Sequence, residues 1–171
     1  MTAHTPIVVS GEPDVWHDTA RDVNAWRGEA IQLFARAELS VSETLQMLRA
    51  GGEGRLRRLV GQRFDDLAAA LEKLGKKGAK ASNALARFRE LEELRPFLCH
   101  GVAKTAIDRS GHWIAVLKLV DLRGGVADVL TRVIEERDAE TLIQDLGQRT
   151  RELTSALQSV RSKLGSSAPV L

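Results

Sequence analysis

Arg95 and His100 are the two side chains of this 171-residue chain whose types and spacing best suit chemistry. Arginine offers a permanently charged, forked donor for phosphate oxygens, and histidine titrates near neutrality and can carry a proton. Together they hold what phosphodiester cleavage without a metal requires. They stand five residues apart in the segment Glu90-Leu-Glu-Glu-Leu-Arg95-Pro-Phe-Leu-Cys-His100-Gly101. On one straight helix that separation is about 140° around the axis and ~7.5 Å along it, so the two do not readily converge on one phosphate. A bend at Pro96 or a second copy of the chain would supply the convergence, and a dimer contact would then bury the C-terminal half of this helix. The plainer alternative pairs Arg95 with Glu92 or Glu93, or sets it as a cap on the helix C-terminus, and lets His100 donate to a carbonyl at the helix end.

The elements that must position this pair are mostly helical. Apolar residues from Trp26 to Leu48 recur every three or four positions and predict a long first helix ending at Gly51-Gly52, its start falling between Asp14 and Asp22. A second helix is predicted from about Arg55 to Leu74, with Leu56, Leu59, Phe64, Leu67 and Leu71 on its buried side and Gly75 as its stop. The third helical pattern begins near Lys80, carries Ala84, Leu85, Phe88, Leu91, Leu94 and Leu98, and closes at Gly101. Pro96 lies inside it and lacks the N–H that would bond back to Glu92, so the helix should kink or rewind locally.

After Val102 the period changes. The turn-rich quartet Asp108-Arg-Ser-Gly111 and the β-branched run from His112 to Leu122 predict a hairpin, and a second turn at Gly124-Gly125 leads to a third strand over Val126 to Ile134, with a helix as the alternative there. Asp138 and Glu140 then open the last helix, whose apolar side runs from Leu142 to Leu164. The expectation is a mainly α, antiparallel helical bundle with a small β-hairpin or three-stranded meander inserted before the last long helix. Residues 1–13 read as a flexible arm, 14–165 as one domain and 166–171 as a frayed tail.

The segment from Phe88 to Gly101, with its Arg-x4-His-Gly ending at the close of a third helix, resembles the HEPN (higher eukaryotes and prokaryotes nucleotide-binding) superfamily. The likeness is sharp over these fourteen residues and architectural over roughly Ala25 to Leu164. It implies a helical bundle acting as a homodimer, with the motifs of two protomers forming a composite, metal-independent endoribonuclease site. Arg95 would stabilise phosphate charge, and His100 would assist attack by the ribose 2′-hydroxyl or protonate the leaving oxygen. The resemblance also implies a place in a toxin–antitoxin or defence system, with RNA as substrate and a cognate antitoxin or other protein as partner. Pro96 stands where active relatives often carry a polar residue, and the chain has no tyrosine. The alternative is therefore a non-catalytic interaction or RNA-binding protein in which the Arg/His pair is structural.

Composition narrows the remaining options. Lys and Arg total 25 against 23 Asp and Glu, a net charge of +2, so a basic site must be local. Arg55 and Arg58, with Lys76, Lys77 and Lys80, are the candidates for a nucleic-acid path, since phosphate contacts need only local cations. The single cysteine, Cys99, excludes an internal disulfide and a cysteine-based zinc site and suits a reducing, cytoplasmic setting. It reads as a small filler inside the motif. His4 and His17 lack ligand partners at useful spacing, and no metal or other cofactor is expected. No segment reaches the ~20 apolar residues a membrane span requires.

Overall fold

Trp26, Ala30, Phe34, Ala37, Val41, Leu45 and Leu48 fall on one stripe of helix α1 (Val15–Ala50), and every one of them is buried. The computed structural model describes residues 15–52, 55–123 and 126–165. The expected arm, tail and Gly124-Gly125 turn lie outside the described residues, as does His4. Helix α2 (Val60–Lys73), a 3-10 turn (Gly75–Lys77), α3 (Ala79–Arg89) and α4 (Leu94–His100) follow. Strands β1 (Val102–Ile107), β2 (Trp113–Arg123) and β3 (Val126–Glu135) form an antiparallel meander in that order, and α5 (Glu136–Gly165) closes the chain.

The mainly helical architecture with a meander before the last helix is the one the sequence predicts. Within it, α1 and α5 run parallel: the Trp26 indole donates to the Ala139 carbonyl (3.1 Å) near their starts, and Arg161 reaches Ser40 and Thr44 farther along both. Helix α3 runs against α5, with Arg87 on Glu152 and Arg149 on Glu90. The phenyl rings of Phe34 and Phe64 each meet Phe88 edge-on (5.6 and 5.9 Å, 72°), a geometry that aligns positive ring edge with negative face.

Two helix boundaries differ from the sequence expectation. Residues 55–59 are outside α2: Leu59 is extended (φ −80°, ψ 141°), and Leu56 and Leu59 are exposed rather than buried. The Arg57 guanidinium holds this segment open by donating to the Asp66 carboxylate and the Gln62 carbonyl, an alternative to helical hydrogen bonding. The third helical pattern is two helices. Between them Leu91, Glu92, Leu94 and Arg95 bond three residues back, so the backbone rewinds over Glu90–Glu93 as the proline requires. Pro96 then sits in the first turn of α4, where a missing N–H leaves no carbonyl unpaired that the fold would otherwise satisfy.

The meander alternates by strand register. Trp113, Ala115 and Leu117 on β2 and Ile134 on β3 face the helices and are buried, with Trp113 against Trp26 (centroids 5.7 Å). Beyond Lys118 the β2–β3 ribbon continues past the helices: Val120, Leu122, Val126 and Val129 are all 59% exposed or more.

Candidate functional site

Helix α4 has only seven residues, too few to hold together on propensity alone. Leu98 buries fully, and Leu94 and Phe97 pack on the core from partly buried positions. Two arginine contacts then fasten its ends to α1. At the start, Arg95 donates from Nε and Nη2 to the two carboxylate oxygens of Glu38, a fork-on-fork pair with both side chains largely covered (25% and 14% exposed). At the end, Arg27 donates to the carbonyls of Leu98 and Gly101 (2.9 Å to Gly101), which the helix itself leaves open.

The Glu38 carboxylate raises the Arg95 guanidinium above its ordinary pKa, first by the hydrogen bond and then by its charge, with Cys99 and Glu92 adding smaller charge effects; burial acts in the opposite sense. Arg95 is therefore a fixed cation at every pH the protein meets. The pair with Glu38 uses two of the five guanidinium N–H groups and leaves the Nη1 pair and one Nη2 hydrogen for another acceptor.

His100 is the last residue of α4 and is exposed, and no hydrogen bond joins it to Arg95 among the described residues. The rewound stretch precedes both residues, so it does not swing one toward the other, and a bend at Pro96 is not the source of convergence. Gly101 explains the glycine after the histidine. A Cβ there would collide with the Phe97 carbonyl oxygen and lie 3.4 Å from that of Lys118, so only glycine lets the chain pass from α4 directly into β1. Cys99 is partly buried on the Arg95 side of the helix, consistent with packing. Arg132 of β3 lies over the Phe97 ring at 5.9 Å and adds a further cation beside α4.

The other predicted cations do not form one patch. Arg55 and Arg58 are exposed ahead of α2, at the end where Gly61 approaches Glu92 and Asp65 pairs with Arg89. Lys76, Lys77 and Lys80 sit at the far end of α2, about 20 Å away by helix rise. Lys80 lines a shallow groove between α3 and α5 with Arg87 and Arg151.

Sequence reasoning missed Glu38 and Arg27. Both lie on α1, 57 and 71–74 residues from the groups they bind, and local spacing carries no trace of such partners. The near neighbour proposed for Arg95, Glu92, instead pairs with Arg89 at 3.2 Å.

Among the described residues, no three His, Cys, Asp or Glu side chains cluster to hold a metal, and no helix is long and apolar enough to cross a membrane. Comparison of the chain with family models, with curated proteins and with solved structures gives no match.

Proposed function

We propose that the chain is a HEPN-like protein that engages RNA at the end of α4 and, as a homodimer, cleaves it without a metal. The observation that supports this reading most is the double fastening of α4 to α1. It presents His100 to solvent and leaves a covered, permanently charged Arg95 with donors to spare. In the reaction, His100 of one protomer takes the proton of the ribose 2′-hydroxyl as that oxygen forms a bond to phosphorus. The bond to the 5′-oxygen breaks, a second imidazole protonates that oxygen, and a 2′,3′-cyclic phosphate remains. Arg95 would balance charge on the non-bridging oxygens. A role in a toxin or defence system, with an antitoxin as partner, follows from the same likeness.

The same pair supports a second reading. Glu38 neutralises Arg95, and a guanidinium committed to a carboxylate can be purely structural, leaving a binding or interaction protein. The separating measurement is cleavage of a mixed-sequence RNA with EDTA present. Wild type should cut, and His100→Ala and Arg95→Ala should each lose about 100-fold or more. Equal rates for all three, or no cutting by wild type, would sink the catalytic reading. Glu38→Gln belongs in the same series: on the structural reading it and Arg95→Ala lower stability and change no cleavage rate.

A further inference from the structure

A sheet covered on one face normally reads apolar toward the core and polar toward water. This meander does not. Its outward positions, by register, include the cross-strand pairs Val116 with Val133, Val120 with Val129 and Leu122 with Ala127. Val102 of β1 extends the same face, since its neighbour Lys118 points outward with them. Val102, Val120, Leu122, Val129 and Val133 are 59–75% exposed, although the inward face is already filled by Ala115, Leu117 and Ile134. The outward face is thus as apolar as one built to be buried, while the described residues cover only the inward face, and that only up to about Lys118.

We propose that a second copy of this chain covers the other, sheet against sheet, about a two-fold axis. Three observations favour a copy over another protein. The five exposed aliphatic side chains offer roughly 500 Å² of apolar surface, the mostly covered Ile114 and Val116 bring it to about 600 Å², and the exposed Lys104, Lys118 and Thr131 on the same face add the polar rim that takes it toward the ~800 Å² each partner contributes to a stable dimer. The face carries both signs of charge, Lys104 and Lys118 toward one side and Glu135 at one end, as a surface that must complement itself requires. The net charge of +2 puts little long-range repulsion between two copies. The ribbon beyond Lys118 has a further need: two strands alone are marginal in water, and packing a second ribbon on this one at about 10 Å gives both a dry side. This surface is set by the meander and does not depend on any RNA chemistry at α4.

Sedimentation of the full chain at about 50 µM tests the proposal, a concentration at which an interface of this size is occupied. Wild type should be a dimer. Val120→Lys with Val129→Lys places two charges at the centre of the face and should weaken association about 100-fold or more, with unchanged helical circular dichroism. Val120→Thr with Val129→Thr keeps shape and strand preference and should weaken it about tenfold, which decides the matter if the lysine pair fails to fold. A monomeric wild type overturns the proposal and leaves residues 1–14 or a different protein as the cover. So does a dissociation constant, read from a dilution series below about 50 µM, that either folded double variant leaves unchanged.

Discussion

The helical core and the β2–β3 ribbon are built from the same kinds of residue and end in opposite states. Phe34, Phe64 and Phe88 are at most 2% exposed where three helices meet, whereas Leu122, no less apolar than the core leucines, is 75% exposed on the ribbon. Hydrophobic content therefore does not by itself say what is finished in one copy of the chain. Topology does: α1, α2 and α3 surround the aromatic cluster, while the ribbon runs out past the helices with nothing of the described chain on its outer face. The α4 segment lies at the seam. Its Arg95 end is tied into the bundle through Glu38, and its His100 end opens beside the start of the meander.

The strongest way to break this contrast is to remove one large side chain from each region. Phe88→Ala takes the shared partner from two edge-on ring contacts and leaves a cavity among α1, α2 and α3, so urea unfolding should show a loss of about 3–5 kcal/mol. Leu122→Ala, measured under dilute conditions, should change stability by no more than about 0.5 kcal/mol, because the side chain is already in water. Comparable losses at the two positions would mean that the ribbon is covered within a single copy.

Gly101 tests the seam. Gly101→Ala sets a methyl group against the Phe97 carbonyl, and relief requires the end of α4 and the start of β1 to part. The expected cost is about 1–3 kcal/mol, read from thermal or urea unfolding. Because Arg27 holds the carbonyls on either side of the histidine, the strain should appear as faster amide exchange at residues 100–103 before it appears in α1. An alanine variant as stable as wild type would show that the close passage is not what requires glycine.

Legibility in the sequence follows the same division. Period 3.6, turn residues, β-branched runs and alternation are local signals, and they point to α1, α5, the first hairpin, the third strand and most of the core, because those elements are shaped by residues close in sequence. The start of α2 was misjudged, since Leu56 and Leu59 continue the apolar spacing while Arg57 bonds forward to Asp66 and keeps the backbone extended. The rewinding before α4 was legible from Pro96 alone. The partners of the candidate site were not: an ion pair spanning 57 residues depends on how α1 and α4 dock, and the nearby Glu92, the reasonable local choice, is taken by Arg89. Nor could spacing show that Lys76, Lys77 and Lys80 lie a helix length from Arg55 and Arg58.

The smallest effect expected is at the covered end of the meander, where the β1–β2 turn is built around one carboxylate. Asp108 accepts the backbone N–H groups of Ser110 (2.7 Å) and His112 (2.9 Å). These bonds hold its pKa below the ordinary carboxylate value, the His112 amide first, with Ser110 and the His112 side chain assisting and burial opposing. In the unfolded chain Asp titrates near ~3.9. A carboxylate whose folded pKa is depressed contributes its full stabilisation above the unfolded value and loses it as the pH falls through the folded one. The two amide bonds to Asp108 should therefore be unaffected by its titration between about pH 5 and 7 and weaken only below about 4. Asp108→Asn keeps an oxygen acceptor but removes the titration, so exchange of the Ser110 and His112 amides should lose its acid-dependent component in that variant alone. The same acid loosening in both proteins would place its cause elsewhere in the sheet.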